Sequence, residues 1–124
     1  MPLSHSRSAL AALALFLLSA MTAAAASISS VGAVTWHPKS HVGKTVEVRG
    51  YVLAIEGGLV LFSDEATGAI SSHDLPIAGP GADQLVLRGR YLLVGVFTKD
   101  GRPTANGSPY HLQLTATPTA LGPK

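Results

Sequence analysis

The sequence predicts an all-β domain, a small five-stranded barrel, that follows an N-terminal export signal. Three observations lead to this prediction. Five segments of strand length are apolar on one or both faces. Turn-forming clusters of glycine, proline and aspartate separate these segments. Two of the segments contain an internal glycine, Gly50 and Gly95, which lets a strand bend so that a small sheet can close.

Residues 1–26 have the three parts of a cleavable signal peptide. A start with Arg7 and no acidic residue precedes the apolar run ALAALALFLLSA, and small residues continue to Ala26. We therefore expect cleavage after Ala26. A retained anchor is disfavoured because a membrane span needs roughly 20 strongly apolar residues, whereas the last third of this segment is alanine, serine and threonine.

Cleavage leaves 98 of the 124 residues, with Lys plus Arg reduced from 9 to 8 against 7 acidic residues, a net charge of about +1. We expect this processed protein in the periplasm or secreted, with no stable membrane span. Its balanced charge alone indicates neither a nucleic-acid nor an anionic-membrane partner. With no cysteine in the chain, packing alone must stabilise the domain.

The processed chain divides into a leader, residues 27–37, and a barrel domain, residues 38–124. Within the leader, Val31–Trp36 predicts one helical turn that ends before Pro38. The first strand, Thr45–Glu56, alternates between apolar and charged residues as far as Gly50, and then both faces become apolar. This pattern predicts a strand that bends and crosses from one side of a barrel to the other.

Four further strands complete the prediction, each bounded by turn residues. They are Leu59–Ser63, Ala69–Ile77, Tyr91–Thr98 and Tyr110–Thr117. Alternation within the five strands predicts a core that contains Val46, Val48, Val52, Leu61, Val94, Val96, Leu112 and Leu114.

The segment PKSHVGKTVEVRGY, which begins at Pro38, and the strand Tyr91–Phe97 carry a resemblance to known proteins. They resemble a group of small, uncharacterised exported bacterial proteins. More distantly, they resemble the oligonucleotide/oligosaccharide-binding (OB) fold, whose long first strand bends at mid-length. The resemblance implies an OB-like five-stranded barrel, and it brings no catalytic residue or cofactor with it.

OB barrels commonly bind ligands on a strand face through basic and aromatic side chains. We therefore predict a non-enzymatic binding or accessory module of the cell envelope, whose partner is an envelope protein or a small anionic or glycan-like ligand. The simpler alternative is that these side chains only cover a solvated surface. The candidates for ligand contact are Lys44, Arg49, Tyr51, Arg88, Arg90, Tyr91 and Tyr110.

Two alternative functions remain at this stage. Single-stranded nucleic-acid binding, which the balanced charge does not favour, requires Arg49, Tyr51 and Arg90 to line one groove. Metal binding would use histidines, the commonest metal ligands, but their spacing matches no known ligand pattern. The metal candidates are His37, His41, His73 and His111.

Two motif-like segments do not indicate an enzyme. PKSHVGKT, from Pro38, lacks the first glycine of a phosphate-binding loop and precedes a β-alternating segment instead of a helix. The consecutive Ser72, His73 and Asp74 contain the letters of a catalytic triad, but neighbouring strand residues do not point at one another.

Overall fold

The computed structural model describes residues 27–101, 104 and 106–122. The predicted signal peptide therefore lies outside the described residues. The described residues form seven strands and one short α-helix, in the order β1 (Ser29–Ser30), α1 (Val31–Thr35), β2 (Thr45–Glu56), β3 (Leu59–Ser63), β4 (Leu75–Ala78), β5 (Arg90–Lys99), β6 (Tyr110–Leu114) and β7 (Thr119–Leu121). Single 3-10 turns lie at Pro38–Ser40 and Ala82–Gln84.

Five of the strands close into a barrel, which confirms the predicted fold class. Their order is β2-β3-β4-β6-β5, and β5 pairs again with β2. The pairing of β4 with β6 is parallel, and the other four pairings around the barrel are antiparallel. The first part of β2, Thr45–Tyr51, pairs with β5, and its second part, Tyr51–Glu56, pairs with β3. This change of partner is the crossing that the sequence predicts.

Gly50 and Gly95 lie where two strands come too close for a side chain. A Cβ on Gly50 would lie 2.5 Å from the carbonyl oxygen of Ser63, and a Cβ on Gly95 would overlap the backbone of Gln113. The irregularity in β2 lies slightly beyond Gly50, where the register shifts between Val52 and Ala54. Such a bulge increases the local bend of a strand.

The interior confirms most of the predicted core and corrects one strand. Val48, Val52, Leu61, Leu112 and Leu114 are buried, and Val46 packs against the core from a partly buried position. In β5, however, the buried residues are Leu93, Gly95 and Phe97, so Val94 and Val96 lie on the outer face. The run YLLVGVFT is apolar at nearly every position, so the sequence does not decide which of its two faces is inside.

The limits and the number of the strands also differ from the prediction. Only the last part of the predicted third strand forms β4, because residues 64–74 form bends and turns. β6 pairs with the second part of β5 and ends at Leu114, and a short additional strand, β7, pairs with the first part of β5.

The helix α1 covers one end of the barrel. Val31 and Val34 are buried and belong to the core. The carboxylate of Asp64 accepts hydrogen bonds from the backbone N–H groups of Val31 and Gly32, and the Ser30 hydroxyl accepts one from Ala33. These acceptors satisfy three of the N–H groups that a helix start leaves open. None of the helices in the described part of the chain combines the length and apolarity needed for a membrane crossing.

Candidate ligand-binding face

Three of the predicted ligand contacts lie together on the outside of the barrel. Tyr51 of β2 is directly opposite Arg90 of β5, and Arg49 is two residues before Tyr51 on the same strand. Directly opposite residues of an antiparallel pair share a face, as do residues i and i+2 of one strand. The buried Val48, Gly50 and Val52 occupy the inward positions between them. We call Arg49, Tyr51 and Arg90 the basic face.

The spacing of the basic face suits one anionic group held between two guanidinium groups. Arg49 and Arg90 are diagonal cross-strand neighbours, for which the Cα atoms lie roughly 7–8 Å apart. Arg49 is exposed, and Arg90 is half-buried with its Nη1 donating a 3.3 Å hydrogen bond to the carbonyl of Gly122. Guanidinium groups present several fixed donors to carboxylate, phosphate or sulfate oxygens.

The described carboxylates do not neutralise the basic face by direct contact. Glu47 lies two residues before Arg49 on the same outer side of β2. Within the described residues, the only side-chain ion pair closer than 4.0 Å joins His111 to Asp100. Among the described residues, no carboxylate therefore occupies the guanidinium donors of Arg49 or Arg90.

Arg88 lies next to the basic face in a tight turn. The N–H of Gly89 donates to the carbonyl of Val86 at 2.8 Å, and Arg88 has a φ of 68°. A positive φ at the third residue is the mark of a type II turn, where glycine or asparagine is usual. The exposed Arg88 side chain thus adds positive charge beside Arg90.

The structure does not bring the other three candidates to this face. Lys44 is exposed before the start of β2, whereas Arg88 bonds to Val52 in the second half of the strand. Tyr91 and Tyr110 pack against the core, and the Tyr110 ring stacks on Phe97 with ring centroids 5.3 Å apart. The hydroxyl of Tyr91 accepts a hydrogen bond from Val86 N–H at 3.1 Å. Both tyrosines therefore pack against the barrel core, which the alternation of the strands did not predict.

The four candidate metal ligands lie in separate environments. His111 contacts Asp100 and Gln113, His73 stacks on a tryptophan, and His41 meets the edge of Phe97 at 6.3 Å. His37 is exposed before the first 3-10 turn. Within the part of the chain that the structure describes, no three histidine, cysteine, aspartate or glutamate side chains are arranged to hold a metal ion. This geometry gives the metal-binding alternative no support.

An aromatic platform at the C-terminal end of α1 was not predicted. Trp36 is 63% exposed, and its ring stacks on His73 at 3.7 Å with an interplanar angle of 10°. Beside it lies a crevice of about 270 Å³, which Ser108 and Tyr110 also line. Trp36 and His73 are 37 positions apart in the sequence, so no local pattern signals the pair.

The comparisons with known proteins define this molecule as an OB-fold-like barrel. The chain is similar to a putative aspartyl-tRNA synthetase from Leishmania major, with a TM-score of 0.56 and 13% identity over 81% of this chain and 21% of that one. It is also similar to OBody AM2EP06 bound to hen egg-white lysozyme, with a TM-score of 0.54 and 16% identity over 77% of this chain and 94% of the other. OBodies are OB-fold scaffolds.

These similarities show the fold alone. The present chain spans about a fifth of the synthetase, so it corresponds to a small part of that protein. No protein-family model and no curated protein matches the sequence. Since fold alone does not define function, the geometry of the barrel surface is what indicates the ligand.

Proposed function

We propose that this protein is an exported, non-enzymatic binding module of the cell envelope that takes an anionic ligand on the basic face. The observation that carries the proposal is the cross-strand register of β2 and β5, which puts Tyr51 between Arg49 and Arg90. The sequence pattern of residues 1–26 and the resemblance to small exported bacterial proteins support the envelope location.

The chemistry of the basic face favours an anion with a flat or apolar part. The two guanidinium groups can each donate to phosphate, sulfate or carboxylate oxygens. The half-buried Tyr51 ring presents a surface on which a sugar ring or a base can stack. A small anionic or glycan-like ligand meets both requirements.

Retention on immobilised heparin tests the proposal with a sulfated polysaccharide as the probe. The processed protein should bind at low salt and elute as salt rises, because exposed charges are screened. Arg49→Gln with Arg90→Gln should abolish retention. The matched control, Lys39→Gln with Lys44→Gln, removes the same charge from exposed positions near the start of β2 and should retain most binding. Equal loss in both variants would contradict a localised site.

Single-stranded nucleic-acid binding is a second candidate, since Arg49, Tyr51 and Arg90 share one face as that function requires. Contacts from Arg49, Arg88 and Arg90 to three phosphates predict that log K falls with log salt with a slope of about −2. Fluorescence anisotropy with a labelled twelve-nucleotide oligo-dT measures this slope. If the processed protein does not bind the oligonucleotide at low salt, this candidate is excluded.

A further inference from the structure

Two large apolar side chains project from the barrel beside the basic face. Val86 is 63% exposed and Leu87 is 50% exposed, and they are consecutive in the turn that leads into β5. We call this pair the apolar tip. Isolated exposed apolar residues are ordinary, whereas contiguous exposed apolar surface is where proteins contact partners or membranes, and Val86 and Leu87 are adjacent.

The apolar tip is held in place by its own backbone. Besides the 2.8 Å bond that closes the turn, Arg88 N–H donates to the carbonyl of Val52 at 2.7 Å, and Val52 N–H donates to the carbonyl of Gly89 at 2.9 Å. The turn is therefore an extension of the β2–β5 ladder. It keeps Arg88 at a φ of 68°, a conformation that is unfavourable for a residue with a side chain. Backbone strain of this kind is concentrated at functional sites.

Basic side chains follow the apolar tip along the β2–β5 pair. Arg88 follows the apolar tip directly, and the basic face adds Arg49 and Arg90 along the β2–β5 pair. The acidic Asp83, three residues before Val86, lines a cleft together with Gly57 and Gly58. The apolar tip is thus followed, along the β2–β5 pair, by three arginines.

We propose that this side of the barrel docks on the surface of an anionic lipid bilayer. Val86 and Leu87 enter the boundary between headgroups and acyl chains, while Arg88, Arg90 and Arg49 contact lipid phosphates. Apolar insertion combined with basic contacts is the general mode of peripheral membrane binding. The proposal rests on the proposed function, because it uses Arg49 and Arg90 and names a bilayer as the anionic ligand. Two apolar side chains and three arginines provide weak, reversible binding.

Vesicle flotation tests the docking. The processed protein is mixed with vesicles of equal parts phosphatidylglycerol and phosphatidylcholine, or of phosphatidylcholine alone, at low salt. We expect binding to the anionic vesicles only. Val86→Ser with Leu87→Ser should lower the vesicle partition constant by about tenfold, and Arg88→Asn, which suits a positive φ, by about fivefold. Val42→Ser, an exposed valine (40%) before the start of β2, is the matched control and should bind like the unaltered protein.

The outcomes separate this inference from the proposed function. If the Val86 and Leu87 variant floats like the unaltered protein, or if neutral vesicles bind equally well, the bilayer docking is overturned. If the unaltered protein binds heparin but no vesicle, the docking is again overturned while the anion-binding face stands. If Arg49→Gln with Arg90→Gln leaves heparin retention intact, the proposed function itself fails.

Discussion

Arg88 has a left-handed backbone conformation, with a φ of 68°, which is unfavourable for a residue that has a Cβ. Left-handed backbone costs a residue with a Cβ about 1–2 kcal/mol. Glycine removes this cost but adds about 0.5–1 kcal/mol of unfolded-chain entropy. We therefore expect Arg88→Gly to raise the free energy of unfolding by about 0.5–1 kcal/mol, since relief of strain is the larger effect.

Thermal unfolding measures this change, because 1 kcal/mol shifts the Tm of a domain of this size by roughly 4–8 °C. Arg88→Ala is the control. It removes the charge but keeps the Cβ, so it should bring no comparable gain. A higher Tm in both variants would assign the effect to charge instead of backbone strain.

Among the elements, the antiparallel strands β5 and β6 can approach as closely as they do only because residue 95 is glycine. A Cβ at this position would overlap the backbone of Gln113, which has no room to move within the paired strands. Gly95→Ala should therefore lower the free energy of unfolding by about 1–3 kcal/mol, the usual cost of overpacking. Urea unfolding followed by circular dichroism gives the value.

Gly101→Ala provides the comparison for Gly95, since none of the described atoms lies within 4 Å of a Cβ at Gly101. Its stability should stay within about 0.5 kcal/mol of the unaltered protein. If the two alanine variants were equally stable, close strand approach would not explain the glycine at position 95.

Strand alternation in the sequence predicted much of this architecture and part of the candidate face. In β2, charged residues alternate with valine, so the outward position of Arg49 followed directly from the sequence. In β5, unbroken apolar composition concealed the inward face, and Val94 was placed inside when Leu93 is buried instead. The register that brings Arg90 opposite Tyr51 is a long-range pairing, which local patterns do not specify. The stack of Trp36 on His73 was missed for the same reason.

At the scale of the whole molecule, export and processing remain a prediction from residues 1–26. We expect the protein produced in a bacterial host to be cleaved after Ala26 and recovered outside the cytoplasm. Intact-mass measurement of the exported protein locates the new N-terminus, and Ser27 is the expected first residue. Recovery of a chain that retains Arg7 from the membrane fraction would instead indicate an anchor.

Anion binding by the outer surface of β2 and β5 is the property on which the proposed function depends. An NMR titration of the processed protein with a short heparin oligosaccharide tests it most directly. We expect the backbone shift changes to concentrate at residues 49–51 and 88–92 and to weaken with added salt. Changes concentrated instead around Trp36 and His73, with residues 49–51 and 88–92 unaffected, would contradict it.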